Sequence, residues 1–373
     1  MGFYLMDGNE AIARGAFAAG CRFFAGYPIT PASTIFDTLF KLIPAAGGIC
    51  IQGEDEIASI GYCLGASMAG MKTMTATSGP GISLYSEQIS FAVGSEIPIV
   101  IVDVQRLGPS TGSATRGADG DIQFLRWGNS GGLPVIVLAP VDVRDCFVLT
   151  MQAFNLAERF RCPVFIASNK EIALTRESVH SRDMTPIRVE NRVEPDADMI
   201  HLPFGVTGDN STPGFLPIGG HATVRQTSST HGPDGYITTD PQVIHQFQKR
   251  LCNKLISAIT DYTFYDFYAS DRKNPLVIVY GITARAALDS LRTIPEEKRP
   301  FSLLILKTLW PVPEALIREK GESAEKIIVV EMNMGQYVKE IERVLSRRDI
   351  RFLGQMNGNL ITPEQILEVV SNE

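Results

Sequence analysis

Through the first 170 residues, short apolar runs alternate with stretches of helical periodicity, and each run ends in glycines or small polar residues. A strand buried on both faces reads as one unbroken apolar run, and parallel neighbours must be joined by a crossover, usually a helix. The alternation therefore predicts an α/β fold built on a largely parallel sheet. Predicted strands cover Cys21–Tyr27, Gly48–Gln52, Met71–Thr77, Ile97–Val104, Pro134–Leu138 and Val164–Ala167. A helix capped by Asp7 or Asn9 runs to about Gly20, and others cover Thr34–Leu42, Asp55–Met68, Leu84–Ser95 and Val141–Arg159. In open sheets of this kind ligands bind beyond the C-terminal ends of the strands, so the loops there carry the search for function.

From Glu177 to Pro241 the pattern dissolves into a stretch rich in Pro, Gly, Ser and Thr. A segment of that length without periodicity usually serves function or wraps a partner. A helix at Gln242–Ile259 follows. Strands at Leu276–Tyr280, Leu303–Lys307, Ile327–Glu331 and Ile350–Leu353 then alternate with helices at Thr283–Arg292, Gln336–Ser346 and Pro363–Val370. At 373 residues the chain has room for two cores. The expected division is a domain at 1–175, a loop-rich connection at 176–245 and a smaller α/β domain at 246–373.

The net charge of −7, with no run of Lys and Arg, argues against a nucleic-acid partner, which would need a basic face. No stretch of 18 apolar residues is present to span a membrane. The N-terminus shows neither the basic start and cleavage site of a signal peptide nor a lipidation pattern, so a cytoplasmic location is expected. Six cysteines stand at 21, 50, 63, 146, 162 and 252, the closest pair 13 residues apart. That spacing predicts neither a disulfide framework nor an iron–sulfur cluster held by this chain alone. If the protein handles electrons, the metal is expected elsewhere.

Four strand-end loops carry the candidate chemistry. Tyr27-Pro28-Ile29-Thr30-Pro31 holds two prolines three apart, which stiffens a loop that presents Thr30. The plainer reading is a helix start, with Ser33 or Thr34 as its cap. Gln52-Gly53-Glu54-Asp55-Glu56 ends a strand and opens a helix, where acidic residues need do no more than complement the helix dipole. Glu54, nearest the strand end, is the one best placed to face a ligand. Thr75-Ala76-Thr77-Ser78-Gly79-Pro80-Gly81 allows close backbone approach, and it also suits an ordinary tight turn. It matches neither a G-x-G-x-x-G loop nor a P-loop. Gln105-Arg106-Leu107-Gly108-Pro109-Ser110-Thr111-Gly112 puts an arginine at a strand end, where its forked guanidinium suits a carboxylate ligand or, standing alone, a surface ion pair. Gly117-Ala118-Asp119-Gly120-Asp121 invites comparison with a Gly-Asp-Gly magnesium motif, but the later asparagine of such a motif is missing, with Val141–Arg144 in its window. No G-x-S-x-G elbow or H-E-x-x-H motif occurs.

Taken in order, these four loops resemble those of the α subunit of 2-oxoacid:ferredoxin oxidoreductases, and of its 2-oxoglutarate branch in particular. The likeness continues through Ser229-Thr230-His231-Gly232-x-x-Gly235-Tyr236, Lys307-Thr308-Leu309-Trp310-Pro311 and Glu331-Met332-Asn333-Met334-Gly335-Gln336, so it spans nearly the whole chain. The resemblance implies a parallel-sheet domain that binds the pyrimidine of thiamine diphosphate, followed by a smaller α/β domain like the C-terminal domain of transketolase. It implies a β subunit that supplies the diphosphate-binding domain, Mg²⁺ and [4Fe-4S] clusters. The implied reaction is coenzyme A-dependent oxidative decarboxylation of a 2-oxoacid, with electrons passing to ferredoxin. By position, Glu54 is the glutamate that hydrogen-bonds the pyrimidine ring and, buried against the cofactor, favours the imino form that takes the thiazolium proton. Thr30 would hydrogen-bond the 2-oxoacid and Arg106 would pair with its carboxylate. Pro28, Ile29, Thr77, Ser78 and Gly79 would line the cofactor.

Two departures bear on the substrate. Ser113-Ala114-Thr115-Arg116-Gly117-Ala118-Asp119-Gly120-Asp121 replaces the branch's usual Pro-Thr and Gln-x-Asp, and Asn129-Ser130-Gly131-Gly132 replaces its His-Gly-Glu. Arg116 either meets a second carboxylate, as 2-oxoglutarate requires, or faces solvent. Branched-chain or aryl 2-oxoacids and pyruvate stay open as substrates, and a non-redox thiamine decarboxylase subunit is the reading of another class. The γ domain fused to some members has no counterpart here, so separate γ and ferredoxin-like δ chains are expected, with poor cofactor binding by the isolated chain.

Overall fold

A computed structural model describes residues 2–372 apart from 197, 198, 200, 201, 209, 210, 271–273, 293, 323, 347 and 348. The chain opens with strand β1 (Phe3–Met6) and helix α1 (Gly8–Ala18). Strand-to-helix steps follow: β2 (Phe23–Gly26) to α2 (Ser33–Ala45), β3 (Ile49–Gln52) to α3 (Glu56–Met68), and β4 (Thr73–Thr77) to α4 (Pro80–Leu84) and α5 (Ser86–Gly94). Next come β5 (Ile99–Gln105), α6 (Ile122–Trp127), β6 (Ile136–Leu138), α7 (Val143–Phe160), β7 (Pro163–Asn169), α8 (Lys170–Leu174) and β8 (Glu177–His180). After a long irregular stretch the chain resumes with α9 (Pro241–Ile256), β9 (Tyr265–Tyr268), β10 (Leu276–Tyr280), α10 (Thr283–Leu291) and β11 (Ser302–Leu306). It ends with β12 (Thr308–Trp310), α11 (Glu314–Gly321), β13 (Ile327–Glu331), α12 (Val338–Leu345), β14 (Arg351–Gly354) and α13 (Pro363–Ser371).

Among the described residues the main sheet has the order β12-β6-β7-β5-β4-β2-β3. Its strands are parallel except β12, which pairs antiparallel with β6. The inner strands β4, β5 and β7 are buried along their whole length, which accounts for their unbroken apolar runs. One face carries α1, α2 and α7, burying Ile12, Ile35, Leu39, Phe147 and Phe154 against Val100, Val102 and Val104. The other carries α3, α5 and α6, burying Ile60, Leu64, Ile89 and Leu125 against Ile99 and Ile101. Each such side chain contributes on the order of 1.5–3 kcal/mol by leaving water. A second sheet, β14-β13-β10-β11-β9, is parallel except for β9.

The α/β class, the parallel sheet and the order of the main elements agree with the sequence reading. Differences fall where elements are short or depend on distant partners. The ribbon β1–β8, the helices α6, α8 and α11, and strands β9 and β12 were not expected. Asp7 caps α1, accepting from Glu10 N at 2.8 Å. Neither Ser33 nor Thr34 caps α2: its cap position is Ala32, Ser33 Oγ donates back to Ile29 O, and Thr34 Oγ1 accepts from Asn9 Nδ2 at 2.8 Å. The α1 asparagine thereby ties down the loop ahead of α2, with its second bond to Pro31 O at 2.7 Å.

The irregular stretch after β8 lies on its own chain. Arg192 forms an ion pair with Glu158 of α7 at 2.7 Å, and Arg161 donates to Gly214 O at 2.8 Å and to Pro203 O at 3.3 Å. Phe204 and Phe215, both within it, are buried. The helix α9 is joined to the same region by ions: Glu96, fully buried, takes Arg250 at 2.5 Å and Lys254 at 2.8 Å. No described helix is long and apolar enough to cross a membrane.

Candidate active site

The strands β2, β3, β4 and β5 run parallel, so their C-terminal ends deliver four loops to one edge of the sheet. These are the four loops singled out in the sequence. At the end of β3 the acidic triplet divides by role. Asp55 caps α3, accepting from Ala58 N at 2.7 Å, and Glu56 in the first turn is buried. Glu54 is exposed, and no hydrogen bond to its carboxylate is found among the described residues. The structural explanation thus absorbs two of the three acids and leaves Glu54 unused.

The turn from β4 to α4 is fitted around its glycines. Gly79 has φ +45°, a conformation that side-chain-bearing residues rarely adopt. A Cβ on Gly81 would collide with Thr77 Oγ1 and stand 2.9 Å from Glu56 Oε1. Beside this turn several buried polar atoms have no hydrogen-bond partner: Thr77 Oγ1, Ser78 Oγ and Arg106 Nε. Buried polar groups are rarely left so. Their grouping at one strand edge is what a pocket for a polar, hydrogen-bonding ligand looks like when the ligand is not counted.

Arg106 is buried and holds two loops together. Its Nη1 donates to Thr30 O at 2.6 Å and its Nη2 to Thr111 O at 2.8 Å, and its Nε lies near Gly79. The guanidinium therefore welds the Tyr27–Pro31 loop to the 107–112 loop while keeping further N–H groups to offer. Thr30 itself is exposed at the rim, with Pro28 exposed and Ile29 half-buried beside it. The 107–112 loop closes as a small bridge between Leu107 and Ser113. Gly112 has φ +47°, and a Cβ there would overlap the Leu107 carbonyl.

The second domain reaches this edge indirectly. Glu331, fully buried, accepts from Tyr280 Oη at 2.7 Å and from the backbone N–H groups of Tyr337 and Val338. Asn333 Nδ2 donates to Asp119 O at 2.8 Å, and Gln336 exchanges hydrogen bonds with Gln123 and Gly120. The Glu-Met-Asn-Met-Gly-Gln stretch is thus a latch that fixes the 117–123 loop behind Arg106. Sequence inspection could flag the stretch, but its mate 214 residues away carries no local signal. Arg116 is exposed, with its stem against Gly358. Asp119 of the Gly-Asp-Gly stretch is buried and accepts from Asn169 Nδ2 at 2.8 Å. Among the described residues no group of three or more His, Cys, Asp or Glu is placed to hold a metal ion.

His231 lies elsewhere. Its ring is wedged between Phe204 and Phe247, at centroid distances of 3.9 and 4.4 Å, with Nδ1 on Ser229 O at 2.7 Å. These rings line a cavity of about 790 Å³ together with Arg250, the partner of Glu96. Glu96 precedes β5, so this cavity belongs to the opposite edge of the sheet from Glu54, Thr30 and Arg106.

Comparison with known proteins agrees with this geometry. A family model described as pyruvate flavodoxin/ferredoxin oxidoreductase, thiamine diphosphate-binding, matches residues 14–249. The chain belongs to that family. A second model of the family, pyruvate:ferredoxin oxidoreductase core domain II, matches residues 274–366. The 2-oxoglutarate synthase subunit KorA of Methanothermobacter marburgensis is 39% identical over 370 residues, 98% of each chain. The ketoisovalerate oxidoreductase subunit VorB of Methanothermobacter thermautotrophicus is 33% identical, covering 99% of this chain and 97% of that one. The 2-oxoglutarate:ferredoxin oxidoreductase from Magnetococcus marinus, solved with 2-oxoglutarate, coenzyme A and succinyl-CoA, superposes with a TM-score of 0.92 at 33% identity. It covers 99% of this chain, which spans 64% of that one. Members of this family are ferredoxin-dependent oxidoreductases, so the fold class, the thiamine diphosphate-binding domain and the enzyme class expected from the sequence stand.

Proposed function

We propose that this chain is the α-type subunit of a thiamine diphosphate-dependent oxidoreductase that interconverts 2-oxoglutarate, coenzyme A and oxidised ferredoxin with succinyl-CoA, CO₂ and reduced ferredoxin. The observation that carries the reading is the unpaired Glu54 carboxylate beside a strand edge of orphaned polar atoms, Thr77 Oγ1, Ser78 Oγ and Arg106 Nε. These groups fit the pyrimidine half of the cofactor: a free carboxylate for a ring nitrogen, hydroxyls for the amine, and a glycine turn permitting close approach. They do not supply a diphosphate–Mg²⁺ site, which this reading assigns to a β subunit together with the [4Fe-4S] clusters. Separate γ and δ chains complete the proposed assembly. The six free thiols suit a reducing, cytoplasmic setting.

When bound, thiamine diphosphate supplies the nucleophilic carbon and the electron sink for decarboxylation. Glu54 would hold a proton at its carboxyl toward a ring nitrogen of the bound cofactor, a contact that would favour the cofactor's basic form. Exposed here, Glu54 would be desolvated by the cofactor and the β subunit together. Pro28, Ile29, Thr77, Ser78 and Gly79 shape the wall that the ring lies on. Thr30 donates its hydroxyl to the 2-oxoacid, and Arg106 presents its remaining N–H groups to the carboxylate. The same reading divides the chain at 1–175, 176–245 and 246–373, with the last part bracing the first.

The test is a substrate panel on the assembled complex, purified without oxygen: 2-oxoglutarate, 2-oxoisovalerate, pyruvate and phenylglyoxylate, each with coenzyme A and a viologen. Preference for 2-oxoglutarate supports the proposal. Preference for 2-oxoisovalerate would instead align the chain with the ketoisovalerate relative, through the altered 113–121 loop. In the same complex Glu54→Gln is expected to lower kcat by roughly 10²–10⁴-fold, the usual worth of a positioned acid or base. Unchanged turnover would leave the chain a scaffold.

A further inference from the structure

Two carboxyl groups stand behind the Arg106 loop and play no part in the reading above. Asp103, near the C-terminal end of β5, is fully buried, and neither of its oxygens completes a hydrogen bond of good geometry among the described residues, although the backbone N–H of Gly79 faces them. Asp121, just ahead of α6, has a buried oxygen that likewise completes none. The two side chains meet. Two carboxylates pressed together away from water do not both stay ionised. One proton between them converts two stranded acceptors into a donor and an acceptor.

The surroundings act on both groups. Arg106 favours ionised Asp121, whose backbone N–H is held by Gln105 Oε1 at 2.9 Å. Asp103 faces Asp121, Asp119 of the same loop and the backbone N–H of Gly79 on the β4–α4 turn. Glu331 of β13 stands behind Asp119, and Glu56 of α3 lies against Thr77 and Gly81. Burial and then Asp121 push Asp103 well above the ordinary carboxylate range, and burial raises Asp121 as well. One proton is therefore held between the two.

We propose that Asp103 and Asp121 share one proton and act as a positioning pair for Arg106, setting the net charge that the carboxylate of a 2-oxoacid meets. This rests on the proposed role of Arg106 in meeting the substrate. With the proton in place, the pair carries a single negative charge opposite the guanidinium. Its loss at alkaline pH puts a second negative charge there and opposes binding of an anionic substrate, so KM rises while kcat holds.

The experiment follows KM and kcat for 2-oxoglutarate against pH in the assembled complex, for the wild type, Asp103→Asn, Asp103→Leu and Arg106→Ala. Asparagine supplies a permanent N–H donor to Asp121, so Asp103→Asn is expected to lose the alkaline rise in KM. It is also expected to rescue at neutral pH what Asp103→Leu forfeits. Infrared difference spectra add a readout independent of turnover: above the pH of about 7 at which Asp119 releases its own proton, the wild-type complex shows a protonated carboxyl band that Asp103→Asn lacks. An Asp103→Asn complex that keeps the wild-type rise in KM, or keeps that band, overturns the pair. If KM responds to Arg106→Ala but not to Asp103→Asn, the pair alone is wrong. If KM ignores Arg106→Ala as well, the role of Arg106 falls with it.

Discussion

Glu54 and Glu56 are two residues apart and live in different media, because the turn from β3 into α3 sends one carboxylate outward and the next back beneath Gly81. Arg106 shows the opposite effect, a charged side chain taken inward and held there by backbone carbonyls. Removing it takes a donor from Thr30 O and Thr111 O, on exposed residues that water can reach. A typical hydrogen bond contributes about 0.5–1.5 kcal/mol net, so Arg106→Ala is expected to destabilise the chain by roughly that much per bond as well as to raise KM. Arg106→Lys is expected to recover little, because a single ammonium on a flexible stem cannot span both carbonyls in the geometry of a planar fork. Denaturant unfolding beside steady-state kinetics separates the two effects. A lysine variant with wild-type stability and KM would show that the fork is dispensable.

At the scale of the element, the β4–α4 connection is the most constrained piece of the site. The strand is buried along its length, the turn passes through Gly79 at positive φ, and Gly81 fits between Thr77 and Glu56. Gly81→Ala is expected to force Thr77 and Glu56 apart and to shift the turn that carries Ser78. Overpacking of this kind costs typically about 1–3 kcal/mol. Activity of the complex should fall more than stability, read as kcat/KM against thermal midpoint, since the displaced atoms line the proposed pocket. Equal activity in the alanine variant would mean that the turn gives way without consequence. The ease of reading this element in the sequence has the same origin as its rigidity. A buried parallel strand must be apolar, and a tight exit from it must use glycine.

The whole molecule is held across its two domains by apolar clusters that run through both, and by buried polar contacts beside them. Thr308–Trp310 extends the main sheet, Lys307 pairs with Asp145 at 2.9 Å, and Trp310 Nε1 donates to Ile122 O at 3.2 Å. Stability against pH should report the buried acids. Burial pushes Asp119 up to about 7, with Glu331 and Asp121 adding to it against the Asn169 amide. The folded state then keeps a proton that the unfolded chain has released. That contribution is complete below the unfolded carboxylate value of about 4 and is lost as pH rises through about 7. Glu96 behaves oppositely. Burial alone would raise it, but Lys254, Arg250 and Arg161 outweigh burial and hold it well below its ordinary range. Burial lowers Lys254, with Arg250 adding to it, against the opposing pull of Glu96. The stability from Glu96 is present above the unfolded carboxylate range and is lost as pH falls through its folded value. Thermal midpoints of the chain from pH 5 to pH 8 are therefore expected to decline, and Asp119→Asn to flatten the decline. A profile in Asp119→Asn as steep as the wild type would remove Asp119 as the cause.

The sequence by itself determined the α/β class, the order of the long elements and the four strand-end loops, because period, burial on two faces and glycine exits are local properties of the chain. It also marked Glu54, since a strand end followed by a helix start places that position at the sheet's edge. The edge strand β12, the ribbon of β1 with β8, the latch from Asn333 to Asp119 and the meeting of Asp103 with Asp121 were decided only by tertiary structure. A three-residue strand carries too little pattern to be read. A hydrogen bond across 214 residues leaves no mark on either end until the fold brings the ends together. Whether an aspartate is a solvated anion or a buried acid depends on which atoms surround it, and that is a property of packing in three dimensions.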